Sequence, residues 1–113
     1  MGLGFFGSKA RWSRDGFHGF RSKLAFEVGI DIKLMEGFGG TGRWEDLNDP
    51  IVDLLFRADC SGRFTPEQCR NIAPRVRDLV KNWNDNDYDK QQAILLADGM
   101  EQCAENCRYL EFC

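Results

Sequence analysis

Few residues of this 113-residue chain could do chemistry, and most of them sit near its start. Arg11, Trp12, Ser13, Arg14, Phe17, His18 and Arg21 crowd guanidinium groups, an indole, a phenyl ring and an imidazole into one short stretch. Guanidinium forks clasp phosphates and carboxylates bidentately. Aromatic faces stack on planar ligands, and the free N–H groups of a helix N-terminus favour anions. Together these fit capture of an anionic, nucleotide-like small molecule by Trp12, Arg14, Phe17 and Arg21, helped by the 37–44 loop and by the turn that carries Asp59 and Ser61. They fit equally well a face that docks on an acidic protein, where Trp and Arg are the usual anchors. A third reading puts Trp12 and Phe17 in the core and leaves the arginines solvated or paired with the acidic remainder of the chain.

His18 is the only histidine, so a Cys–His nucleophile or a histidine acid–base site would have to use it. Neither a Gly-x-Ser-x-Gly elbow nor a paired-carboxylate signature accompanies it. The expectation is therefore binding without catalysis and without a cofactor.

Metal chemistry would fall to the cysteines or the acidic turns. Cys103 and Cys107 lie one helical turn apart and could join Cys60 and Cys69 in a Cys₄ zinc site, but no Cys-x-x-Cys knuckle is present. Small buried apolar groups are the expected role for these thiols. Arg57 to Gln68 has the outline of an EF-hand loop, with Gly62 at the sharp turn. Calcium needs acidic oxygens at several positions of such a loop, and here they read Arg57, Asp59, Ser61 and Gln68. Asp59 and Ser61 are better employed bonding the backbone of their own turn. Asp85, Asp87 and Asp89 alternate as calcium ligands do, but Lys90 stands where glycine is required. No metal is expected.

Gly-x-Gly-x-x-Gly occurs at Gly2–Gly7 and again at Gly37–Gly42. Dinucleotide-binding folds feed such glycines from a strand and leave them by a helix. The first has no room for that strand, and the second runs into Arg43-Trp44-Glu45-Asp46. The second is instead a loop, costly to order because of its glycines, with Trp44 as its anchor and as a further candidate contact for a ligand.

The bulk numbers set limits on function. Residues 1–23 carry five basic groups against Asp15 alone, while the whole chain has a net charge of −3 and a pI near 5.1. General nucleic-acid binding calls for a basic stripe and a high pI, so it is not expected. A local anion site at the basic end is compatible with these values. No apolar run approaches the roughly 18–20 residues of a membrane span. An odd cysteine count, five, fits the reduced thiols of a cytoplasmic protein.

The elements that must position these groups are mainly helical. Ser13 caps a first helix, whose apolar stripe is Phe17, Phe20, Leu24 and Val28, closed by Gly29. Ile30 to Met35 alternates and reads as a short strand or a helical turn. Asp49-Pro50 opens a short second helix. Thr65-Pro66-Glu67-Gln68 is a capping box for a third, with the stripe Cys69, Ile72, Ala73, Val76, Leu79, Val80 and Trp83 and a bend expected at Pro74. Asp87 caps a fourth running to about Cys107, with Ala93, Leu96, Ala97, Met100, Ala104 and Cys107 as its buried line. Tyr109 to Cys113 alternates as an extended strand would. The expectation is a mainly α single domain over residues 1–113, of about four helices, with a glycine-rich loop and a short β element.

Several segments also carry a resemblance. Trp12-Ser13 with Gly16-Phe17-x-x-Phe20-Arg21, Met35-Glu36-Gly37-Phe38-Gly39-Gly40, Asp59-Cys60-Ser61-Gly62-x-Phe64-Thr65-Pro66-Glu67-x-Cys69, Ala73-Pro74-Arg75 and the Leu110-Glu111-Phe112-Cys113 ending resemble a group of small bacteriophage and actinobacterial proteins. That group brings no activity with it. In its members the turn more often reads His-Ser-Asp-Cys-Asp-Gly, and the change to Ser61 further weakens a metal role. The resemblance implies a context: small phage proteins that act by binding, against host defence or host regulation.

Overall fold

The computed structural model describes residues 2–36, 38–55 and 62–112; the side chains of Leu3, Phe6, Arg14 and Phe112 fall outside that description. Among the described residues the chain forms four helices, α1 Arg14–Glu27, α2 Val52–Leu55, α3 Pro66–Val80 and α4 Tyr88–Glu105. Four short strands join them: β1 Gly2–Phe6, β2 Arg11–Ser13, β3 Gly62–Phe64 and β4 Leu110–Phe112. The domain is mainly α, as the apolar periodicity requires.

Local signals set most helix ends. Ser13 accepts a hydrogen bond from the Gly16 amide and starts α1. At its far end the amides of Gly29 and Ile30 return to the carbonyls of Phe26 and Ala25. Gly29 takes φ +81°, the left-handed conformation this closure needs and glycine adopts without steric cost. Thr65 and Gln68 cap each other reciprocally at the start of α3, and that helix continues through Pro74. Asp87 accepts from the Asp89 amide to start α4. The Ile30–Met35 ambiguity resolves as a 3₁₀ turn over Ile32–Leu34.

The buried line of α4 differs from expectation at its end. Cys103 is buried and Cys107 exposed, because the helix stops at Glu105 and Cys107 takes the left-handed closing position with φ 53°. The Arg108 amide then bonds the Cys103 carbonyl. The two thiols thus do not share a face.

The α3–α4 hairpin supplies much of the core through Ile72, Val76, Leu96 and Met100. The sheet, in order β2-β1-β4-β3 with each neighbouring pair antiparallel, closes one side. Its central pair joins the two ends of the described chain, with Phe5 opposite Phe112, and β3 adds at the edge, with Phe64 opposite Leu110. Helix α4 lies close against the turn after β1. A Cβ on Gly99 would stand 2.4 Å from the Gly7 carbonyl oxygen, so only glycine permits that approach. Ser8 adds a hydroxyl hydrogen bond to the Leu95 carbonyl at 2.8 Å.

Buried thiols complete the interior. Burial pushes the Cys69 thiol up to about 11, and burial likewise raises Cys103. Both are protonated at neutral pH and act as small apolar groups. No helix among the described residues is long and apolar enough to cross a membrane.

Candidate functional site

Three members of the N-terminal cluster expected to receive an anion, Trp12, Phe17 and Arg21, are turned inward. Trp12, on β2, is 3% exposed. Its indole stacks on Phe20 at 4.6 Å and tilts against Phe17 at 5.4 Å, while Phe5 meets it edge-on at 6.2 Å. The indole Nε1 donates to Asp89 at 3.0 Å. Phe17 is 1% exposed. Every face that could stack a planar ligand is filled from within, which corrects the reading of Trp12 and Phe17 as ligand contacts.

Arg21 is corrected in the same way. It falls one helical turn beyond Phe17, on the buried side of α1, and is 2% exposed. Its guanidinium lies over the Phe17 ring at 5.0 Å and the Phe38 ring at 5.4 Å, and donates to the Leu55 carbonyl at 3.3 Å. It thereby ties α1 to the glycine-rich loop and to α2. The π faces and carbonyl surrounding it favour the charge within the protein, and its fork is not offered to solvent.

Trp44 and His18 also serve the loop. Trp44 is buried and its Nε1 donates to the Glu36 carbonyl at 2.9 Å. The Gly42 amide bonds Leu34 at 2.8 Å and the Glu36 amide bonds Gly42 at 2.7 Å. A Cβ on Gly40 would meet the Leu34 backbone at 2.1 Å, so the fold of the loop demands glycine there. Trp44 is the expected anchor, but its ring is not displayed to a ligand. His18 is half-buried, stacked on Phe38 at 5.9 Å. Ser13 spends its hydroxyl on the cap.

Among the basic groups, Lys23 is held by Asp87 at 2.9 Å and Asp89 at 3.0 Å, with its ammonium 4.6 Å from the Trp83 ring centre. Burial lowers the Lys23 pKa, but the two carboxylates outweigh it and hold the group above its ordinary value. Asp89 therefore serves both Trp12 and Lys23, and part of the N-terminal positive charge is neutralised by the start of α4. Arg11 stays exposed; its backbone amide donates to Gln92 at 2.8 Å and its carbonyl accepts from the Tyr88 hydroxyl at 2.6 Å. Lys9 is exposed as well. The Arg14 side chain, Asp59 and Ser61 lie outside the described residues. Among the described residues no group of three His, Cys, Asp or Glu side chains is placed to hold a metal ion.

An open apolar surface lies at the other end of α1. Phe26 is 80% exposed. It stands half a helical turn from the Phe17–Leu24 stripe, so the register that buries those rings presents this one. Ser22 and Phe26 form a ridge between two clefts. One, of about 460 Å³, is walled by Lys23, Glu27, Trp83 and Asn84. The other, of about 520 Å³, is walled by Gly29, Ile30, Asp31 and Lys33. Trp83 is half-buried and donates its Nε1 to Glu27 at 3.0 Å, which fixes the first wall. Sequence reasoning passed over Phe26 and Glu27 and placed Trp83 on the core stripe of α3. The available signal was a phenylalanine off the apolar repeat. No protein-family model, curated protein or solved structure matches this chain.

Proposed function

We propose that the protein works by binding another protein, without chemistry of its own, through the face centred on Phe26. The observation that carries this is a large aromatic ring, 80% exposed, set between two formed clefts. A lone surface phenylalanine needs no explanation, but one flanked by a fixed indole and by Ile30 forms a contiguous apolar patch, and such patches mark interaction sites. Aromatic anchors at the centre of a patch, with polar groups at its rim, are the usual arrangement of energetically dominant contacts. Capture of a nucleotide-like molecule by the N-terminal cluster is the weaker reading, because Trp12 and Phe17 pack against the protein itself. The resemblance to small phage proteins supports a bacterial host protein as the partner.

Affinity capture from a bacterial lysate tests this reading. The wild-type protein and an Arg11→Glu variant are expected to retain the same stoichiometric protein, and Phe26→Asp to lose it. Retention by Phe26→Asp with loss in Arg11→Glu would move the docking face to the basic N-terminal end and overturn the assignment. A nucleotide that raises the melting temperature of the wild type would restore the small-molecule reading.

A further inference from the structure

Trp83, a wall of one cleft beside Phe26, stands in the connection between α3 and α4, most of which is exposed. Helix α3 closes there without a glycine: Lys81 keeps right-handed helical angles, φ −56° and ψ −31°. The left-handed closure that ordinarily satisfies the last carbonyls of a helix is therefore missing. Lys90, in the first turn of α4, supplies the donors instead. Its Nζ donates to the Lys81 carbonyl at 3.2 Å, the Trp83 carbonyl at 2.9 Å and the Asp85 carboxylate at 2.6 Å. An ammonium group has three N–H donors, and these three acceptors account for all of them. Burying such a charge near a helix N-terminus, where a cation is disfavoured, is costly unless the group is fully bonded. The same charge lies at the C-terminal end of α3, where a cation is favoured. Asp87 and Asp89 are held by Lys23. The alternating Asp85, Asp87 and Asp89 thus meet ammonium groups of the protein in the place of a calcium ion.

We infer that Lys90 is a positioning residue for the Phe26 face: its ammonium group fixes the backbone of the 81–85 turn and so sets the Trp83 indole in the cleft wall. The inference rests on reading that face as a docking surface. Lys90 lines neither cleft, so it acts through Trp83 rather than by touching a partner. The indole has three contacts of its own. Glu27 accepts from Nε1 at 3.0 Å, Phe20 meets the ring edge-on at 6.2 Å, and the Lys23 ammonium lies 4.6 Å from its centre. All three come from α1. Lys90 bonds the carbonyl of the same residue from α4, so the two helices are tied together through Trp83. The acceptors differ in weight. The Asp85 side chain is 92% exposed and that of Lys90 only 11%, so the two carbonyls carry the hold and the ion pair adds little.

Nuclear magnetic resonance of the indole Nε1–H groups of Trp12, Trp44 and Trp83 tests it. Lys90→Met keeps an unbranched side chain and removes every donor. It is expected to shift or broaden the Trp83 signal, identified by its loss in Trp83→Phe, and to move those of Trp12 and Trp44 far less. The same variant should capture the lysate protein several-fold more weakly than the wild type. Asp85→Asn should leave both readouts nearly unchanged. A folded Lys90→Met with the wild-type Trp83 signal overturns the inference, as does a displaced signal with undiminished capture. Equal displacement of all three signals would mark a role in general stability and overturn it too. Should Lys90→Met fail to fold, the wild type carries the test. Its Lys90 ammonium protons should exchange slowly and show scalar couplings to the Lys81 and Trp83 carbonyl carbons, and rapid exchange without those couplings overturns the inference. If the wild type captures no protein while Lys90→Met still displaces the Trp83 signal, the docking reading falls and the hold of Lys90 on Trp83 stands.

Discussion

The two ends of α1 make an instructive pair. Both combine aromatic rings with basic side chains, and sequence composition alone ranks the N-terminal end higher. Yet Trp12 and Phe17 are sealed in a ring cluster with Phe5 and Phe20, while Phe26, in the last turn of the helix, is open. What separates them is register rather than residue type. Positions 17, 20, 21 and 24 face the core, so whatever stands there is enclosed, a guanidinium included. Position 26 faces away, so a phenyl ring there meets solvent.

The largest expected consequence of that difference is a contrast in stability. Trp12→Ala removes a buried indole and orphans an Asp89 contact, and should cost about 3–5 kcal/mol. Phe26→Ala should change stability by no more than about 0.5 kcal/mol. Urea unfolding of the two variants measures both, and equal costs would break the comparison.

Arg21 sharpens the comparison further. Lys in its place keeps the charge but loses the planar stacking on Phe17 and Phe38. Arg21→Lys should therefore destabilise the fold by about 1–2 kcal/mol. An arginine kept for ligand capture would instead tolerate the change in stability and lose only binding, which thermal unfolding would reveal.

The smallest effect is expected from pH. Hydrogen bonding from Lys23 holds the Asp87 carboxyl below its ordinary value. For Asp49, burial raises the pKa but the Arg75 guanidinium and the Ile51 amide lower it more. Both carboxylates have folded-state values below their unfolded ones. Their contribution is thus complete above about pH 4, the ordinary carboxylate value, and is lost as pH falls toward the lowered values. Melting temperatures should be flat from neutral to mildly acidic pH and fall below it. Asp87→Asn should flatten that fall by only a few tenths of a kcal/mol, as suits a partly exposed pair.

How much of this was legible in the sequence depends on how local each signal is. The Thr65–Gln68 box, the Ser13 and Asp87 caps and the Gly29 closure involve neighbours within a few residues, and all appear where the residue types place them. The terminal strand β4 was also readable from its alternation. Strands β1 to β3 were not, because their pairing joins positions as distant as Phe5 and Phe112, and the glycines of β1 disguise its pattern. Arg21 and Phe26 could have been placed by helical spacing alone. The residue types of the N-terminal stretch suggest aromatic–arginine chemistry, but helical register decides which of those groups are available.

Hydroxyl-radical footprinting of the aromatic side chains tests the central claim most directly. Phe26 should oxidise rapidly while Trp12 and Phe17 stay protected until the protein unfolds. Oxidation of Trp12 as fast as that of Phe26 in the folded protein would contradict the account.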